Sequence, residues 1–353
     1  MKKVLPILLG LFFTLLLNAQ DYHFSQHFHT PLVTNAAQTG FMPADLRAGL
    51  IYRDQWRTIG TSTYSTFSAF VDLPINRQLE SLANLYLGDD IAGMGLFMTG
   101  DQTGTIKLQT MHVMLSMAYH KNLSPGHYLG LGFQPGIIYR GFKSDAVRVS
   151  DQFLYMNNTD DGNNWTGGTR DPILLDGTSK MMFDMGVGLM YHGKMLADKL
   201  DVEGGFHLAH LTAPNESFID NSNASLPMKI TVNAGADYRI NSKVGVSPDI
   251  LFGLQEEASF INIGGSVSYY LNAELANQVE LFAGGYYRHN DAGILMIGGE
   301  MKNIRLGLSY DYNLSSLSAA TNGVGAFEMG VIYMKRIRKI VPPTTTWPCI
   351  RFY

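Results

Sequence analysis

The chain has 353 residues, of which 46% are hydrophobic and 16% charged, with 37 glycines, 18 tyrosines and 19 phenylalanines. A formal charge of −4 without a basic stripe excludes the phosphate-neutralising surface of a nucleic-acid binder. The single cysteine, Cys349, excludes an internal disulfide, and beyond residue 17 no apolar run reaches the ~20 residues of a spanning helix.

Lys2 and Lys3 precede an almost unbroken apolar run from Val4 to Leu17, and Ala19-Gln20 offers a small residue at a cleavage point. That layout predicts a secretory signal peptide over 1–19, removed to leave Gln20 first. Its loss takes Lys+Arg from 26 to 24 against 30 acids, and the formal charge from −4 to −6. Residues 20–45 show no hydrophobic period. They are expected to fill a barrel lumen as a plug or to lie beneath the barrel in the periplasm.

From residue 46 the pattern has period two. Ile230, Val232, Ala234, Ala236, Tyr238 and Ile240 alternate with Lys229, Thr231, Asn233, Gly235, Asp237 and Arg239. Likewise Ile304, Leu306, Leu308, Tyr310 and Tyr312 face opposite to Arg305, Gly307, Ser309, Asp311 and Asn313. Alternating segments of about ten residues suit strands that cross a bilayer. Fourteen are predicted, near 46–55, 64–73, 91–100, 106–120, 127–142, 181–191, 200–210, 227–240, 243–254, 259–271, 279–288, 292–301, 303–313 and 325–335. The expected fold is all-β: a 14-stranded antiparallel transmembrane β-barrel of the outer membrane over 46–339, with a C-terminal periplasmic tail at 340–353.

Two segments depart from clean alternation. The 106–120 segment changes phase near Met111, which suggests a bulge, and 292–301 is apolar on both faces. The long connections 143–180, 211–226 and 314–324 all follow odd-numbered strands, so they fall at one end, expected to be extracellular. At the other end Asn241-Ser242 and Lys302-Asn303 mark tight turns, while Pro74 to Asp90 is long and partly helical in pattern. Gly130, Gly132, Gly136, Gly186 and Gly188 lie on the polar face, where small residues suit either a crowded lumen or strand bends.

Residues with chemical potential are few in kind. His23, His27 and His29 could hold a metal or make polar contacts within a plug, and no metal site is assigned to them. The loop from Asn157 to Asn164 is rich in oxygen ligands but lacks the Glu that completes a calcium loop, so it reads as a solvated extracellular loop. No Gly-x-Ser-x-Gly elbow, His-Glu-x-x-His, Cys-x-x-Cys or phosphate loop occurs, which points to a protein that is not an enzyme and carries no cofactor. Around the end of the first strand, Trp56 could anchor at the membrane interface, while Arg53, Gln55 and Arg57 could order the extracellular rim or bind a passenger domain. After the last strand, Lys335-Arg336-Ile337-Arg338-Lys339 could be a solvated end or a periplasmic docking site, and Pro342-Pro343 keeps the tail from extending the sheet.

The order and spacing of several pieces resemble the PorP/SprF family of type IX secretion system membrane proteins across nearly all of 20–353. They are Asp21-Tyr-His-Phe-Ser-Gln26, Pro31-Leu32, Asn35 to Gly40, Tyr52-Arg53-Asp54-Gln55-Trp56, Tyr64-Ser65 and Asp72. Tyr119-His120, His210-Leu211, Pro214, Leu226-Pro227, Tyr287-Arg288 and Asp291-Ala292 follow, then Ser309-Tyr310-Asp311, Asn313 and Gly325 to Glu328. The tail with Cys349, Arg351 and Phe352 is similar to the family's Cys-Pro-Arg-Phe ending, although Ile350 replaces its proline and Ala36 stands where the family has proline. The resemblance implies a fourteen-stranded barrel of Bacteroidetes-type bacteria, in the outer membrane and in contact with its lipid. It implies that the barrel serves one secreted adhesin bearing a C-terminal sorting domain of type B. It further implies other type IX components, including a peptidoglycan-binding periplasmic lipoprotein, and relatives active in gliding motility. Arg53, Gln55, Trp56, Arg57, Cys349, Arg351 and Phe352 are the partner-binding candidates. A porin or hydrophobic-solute channel, and a structural link between outer membrane and peptidoglycan, are the competing readings.

Overall fold

The computed structural model describes residues 21–57, 64–83, 85–142, 178–197, 199–219, 224–271 and 279–335. Fourteen strands form in chain order. They are β1 (Leu46–Gln55), β2 (Tyr64–Pro74), β3 (Ile91–Thr103), β4 (Leu108–Ser124), β5 (His127–Gly141), β6 (Ser179–Met195) and β7 (Leu200–Ala209), then β8 (Lys229–Arg239), β9 (Val244–Gln255), β10 (Ala258–Tyr270), β11 (Val279–Arg288), β12 (Ala292–Met301), β13 (Ile304–Asn313) and β14 (Val324–Lys335). Each pairs antiparallel with its neighbours in sequence, and β1 pairs with β14 from Leu46↔Lys335 to Gln55↔Ala326. The sheet is therefore a closed barrel with no free edge strand, which is how a sheet satisfies its backbone in lipid. We call the end at which β1 finishes the upper rim, and the end at which the chain enters β1 the lower rim.

Alternation fixes the two faces. On β13, Leu306, Leu308, Tyr310 and Tyr312 point outward and exposed, while Ser309, Asp311 and Asn313 are buried in the lumen. The polar wall is inside and the apolar wall outside, the inverse of a soluble domain and the arrangement a lipid-embedded barrel requires.

The two irregular segments prove regular, which corrects one expectation. In β4, Met111, Val113, Leu115 and Tyr119 face outward and His112, Met114, Ser116 and His120 inward, so there is no bulge at Met111. The strand's one register irregularity lies at Asn122/Ser124. Met114 misleads because it is an apolar residue on the inner face, clustered with Leu32, Phe70, Phe97 and Ile332. In β12 the inner row Ala292, Ile294 and Met296 is likewise apolar because Phe28 packs against that cluster. Inner apolar residues occur where the lumen holds protein instead of water.

That protein is the chain's own segment 21–45. It carries a short helix at Pro31–Thr34 flanked by 3-10 turns at His27–His29 and Ala36–Gln38, and most of residues 24–40 are buried. Of the connections, 75–90 at the lower rim contains the helix Asn76–Ala83, and the upper-rim connection after β13 contains the helix Ser318–Thr321. The loop Asn157–Asn164 and the basic run past Lys335 lie outside the described residues.

Candidate functional site

The lumen gathers most of the buried charge among the described residues, and three layers of contact hold the inner segment. The first lies in the upper half, on the seam where β1 meets β14. Arg53 and Glu328 are register partners across that seam, and the Arg53 guanidinium bonds the Glu328 carboxylate directly. Arg53 Nη1 also lies 3.1 Å from Asp311, and Arg288 Nη2 lies 2.6 Å from the same carboxylate. Two cations thus face two anions, all four nearly fully buried, and the more exposed Asp291 adds a third carboxylate at 2.5 Å from Arg288 Nε.

Residues of the inner segment complete this cluster. The Ser25 and Gln26 backbone N–H groups donate to the two Glu328 carboxylate oxygens at 2.8 and 2.9 Å. Ser25 Oγ donates to Asp311 and accepts from Arg53 and Arg288, both at 3.0 Å. Buried ion pairs are tolerated when their remaining lone pairs and protons are met in this way.

A second layer sits at the upper rim, around His210 just past the end of β7. Its Nδ1 bonds Asp184 at 2.7 Å and its Nε2 bonds Asp21 at 2.6 Å. Thr212 donates to the other Asp184 oxygen at 3.0 Å, and Lys229 lies 4.0 Å from Asp21. Burial alone would lower the pKa of His210, but the Asp21 charge and the hydrogen bonds that the ring donates to Asp184 and Asp21 raise it to about 9. Burial works against ionisation of Asp21 too, yet His210 and Lys229 hold it below the ordinary carboxylate range.

The third layer is steric and polar, from mid-barrel to the lower rim. Asn35 Nδ2 reaches the Leu189 and Asn233 oxygens of β6 and β8 at 3.2 and 3.3 Å. Gly132 and Gly188 are needed there, because a Cβ on either would overlap the Asn35–Ala37 stretch. Gly130 also abuts this segment, whereas Gly136 and Gly186 abut neighbouring wall residues. All five glycines therefore serve close packing in a crowded lumen. Lower down, Thr39 Oγ1 is 2.5 Å from Ser116 Oγ, the Gly40 N–H donates to Asp72 at 2.8 Å, and Arg47 pairs with Asp72 at 2.8 Å. Beside the segment, a cavity of about 340 Å³ remains toward the lower rim, walled by Glu203, Asp237, Asp249, Tyr270 and Arg305 among others.

The sequence candidates scatter across this architecture. Arg53 is 3% exposed and fully engaged inside, and Gln55 accepts from it at 3.4 Å. Trp56 and Arg57 are at the upper rim. The Trp56 N–H donates to Gly325 at 2.9 Å and its ring meets Tyr64 edge-on, while Arg57 is largely exposed and pairs with Asp54 at 2.7 Å. Cys349, Arg351 and Phe352 lie outside the described residues. The three N-terminal histidines diverge: His23 stacks on Phe260, His27 pairs with Asp249 at 3.0 Å, and His29 packs by Gly307 and Gly330. Among the described residues no group of three or more His, Cys, Asp or Glu is arranged to hold a metal.

Glu328, Asp311, Arg288, Asp184 and His210 were not singled out by their sequence pattern as site residues. The parity of β1 was the available signal for the first of them. With Leu50 and Tyr52 facing lipid, Arg53 must point inward and needs an inward anion opposite.

In overall form the barrel is similar to the toluene transporter TbuX of Ralstonia pickettii, with a TM-score of 0.50 at 13% identity over 87% of this chain and 93% of that one. It is similar also to the toluene transporter TodX of Pseudomonas putida, with a TM-score of 0.50 at 12% identity over 90% and 95%. These likenesses concern the fold alone. No curated protein matches the sequence. The family model of the type IX secretion system membrane protein PorP/SprF matches residues 16–333.

Proposed function

Since the chain belongs to the PorP/SprF family of type IX secretion system membrane proteins, we propose that it is an outer-membrane partner barrel for one secreted adhesin. In this reading it receives or anchors the adhesin's C-terminal, type B sorting domain. The leader is removed after Ala19, and the upper rim, which carries the longest connections, faces the outside. The family match over 16–333 is the observation that carries the reading.

The filled lumen supports it against a simple pore. A passenger would meet the upper rim, where Trp56 and Arg57 sit, and not Arg53, whose valences are used inside. On the periplasmic side the tail at 340–353 and the basic run before it are the segment offered to a peptidoglycan-binding lipoprotein. No catalytic chemistry is assigned. The barrel works as a binding and anchoring element, in adhesion or gliding motility.

Deletion of the protein should abolish surface display of one large adhesin while bulk type IX secretion continues, and affinity purification in mild detergent should recover that adhesin. A strain that displays every cargo normally, with a purified barrel that conducts small solutes, would replace this reading by the transport one. The cavity of about 340 Å³ beside the inner segment is what that second reading rests on.

A further inference from the structure

The inner segment has a direction. At one end the Asp21 N–H donates to Gln255, the last residue of β9, at 2.9 Å. The Asp21 carboxylate meets His210, which follows the last residue of β7, and lies near Lys229, the first of β8. All three contacts mark the upper rim. At the other end the Asp45 N–H donates at 2.9 Å to Lys335, the last residue of β14, which marks the lower rim. A ten-residue strand spans roughly 33 Å, and the 25 residues from 21 to 45 cover that height with helical turns to spare.

The chain therefore enters β1 from below, but its residue 21 stands above. The upper contact is built as a clasp. A carboxylate only accepts hydrogen bonds, so a histidine bound through both nitrogens to two carboxylates carries both ring protons. His210 and Lys229 then balance Asp21 and Asp184, two charges against two, with Thr212 orienting Asp184. The His112 ring lies 5.9 Å away, and His207 and Tyr22 border the same small cavity.

We propose that the processed chain is threaded through its own barrel and presents its amino terminus at the extracellular mouth, held there by the Asp21–His210–Asp184 clasp. The terminus thus belongs to the outer interaction surface, and a protein that grips it from outside pulls directly on the plug. The proposal rests on removal of the leader before Gln20 and on the orientation given above, but not on which adhesin is served.

The test places one epitope between Gln20 and Asp21 and, in a second strain, the same epitope between Asn241 and Ser242 in the lower-rim turn. The heat-modifiable mobility of each barrel checks folding. Antibody should bind intact cells carrying the first insertion, and should bind the second only after the outer membrane is opened. Silence of the first until the membrane is opened overturns the proposal, whichever way the second behaves. If the first insertion blocks folding, His23→Cys with Phe260→Cys in a Cys349→Ser background replaces it, since these rings stack at 4.6 Å near the upper rim and the clasp stays intact. A short bismaleimide should then cross-link the folded chain, seen as a mobility shift after denaturation, and failure to cross-link rejects the threaded path.

Discussion

Arg53 shows how little freedom a lumen-facing charge has. It stands opposite Glu328, shares Asp311 with Arg288, and depends on Ser25 for part of its hydrogen bonding. Arg53→Met leaves Glu328 buried without its cation, a loss of about 3–5 kcal/mol by the usual cost of breaking one side of a buried pair. Replacing both residues, Arg53→Met with Glu328→Gln, should recover part of that, because the amide carries no charge and its oxygen still accepts from an inner-segment N–H group. Urea unfolding followed by gel mobility would read both, and equal destabilisation by the single and double variants would count against a coupled pair. His210 makes a prediction in pH. Its folded pKa of about 9 lies above the ordinary 6.5, so the clasp's contribution is whole below about 6.5 and is lost as pH rises through about 9. Asp21, shifted the other way, contributes above about 3.8 and loses its contribution in acid. Unfolding midpoints should fall between pH 7 and 10 in the native sequence and stay flatter in His210→Gln.

At the scale of strands, the two faces respond to different insults. Leu308 faces lipid near mid-strand, where an arginine costs roughly 2–4 kcal/mol near the midplane. Leu308→Arg should lower the yield of folded barrel well below that of Ser309→Ala. Asp311→Ala is not the mild lumen change that alternation alone suggests, because it strips two arginines of a shared anion. Strand positions were legible because period two is imposed from outside by lipid, and each of the fourteen appears within a few residues of its expected place. What sequence pattern could not supply is what fills the inside. Met114 and Ile294 break alternation only because Leu32 and Phe28 meet their clusters from a segment that has no period of its own. The residues that carry the family resemblance, Ser25, Gln26, Asn35, Asp72, Arg288, Asp311 and Glu328 among them, turn out to be the inner segment and its sockets. Resemblance marked them, and only the closed barrel brings them together.

For the whole molecule, the filled lumen predicts low conductance. The purified barrel should pass little current in a planar bilayer, and removing 22–44 should raise it severalfold, since no strand residue is lost and the polar inner wall can hydrate. An equal current before and after removal would mean that the inner segment does not obstruct the path. The cluster at the β1–β14 seam also has a bearing on assembly. That seam joins the first strand to the last, so it is the final pairing a growing sheet can make. Its inner face buries Arg53 and Glu328 together, and the Ser25 and Gln26 N–H groups complete the hydrogen bonding of Glu328. A barrel that closed empty would leave those carboxylate oxygens to water in place of the Ser25 and Gln26 N–H groups. Seating the plug therefore reinforces the seam, and a sideways opening between β1 and β14 has to break the Arg53–Glu328 contact together with the ladder.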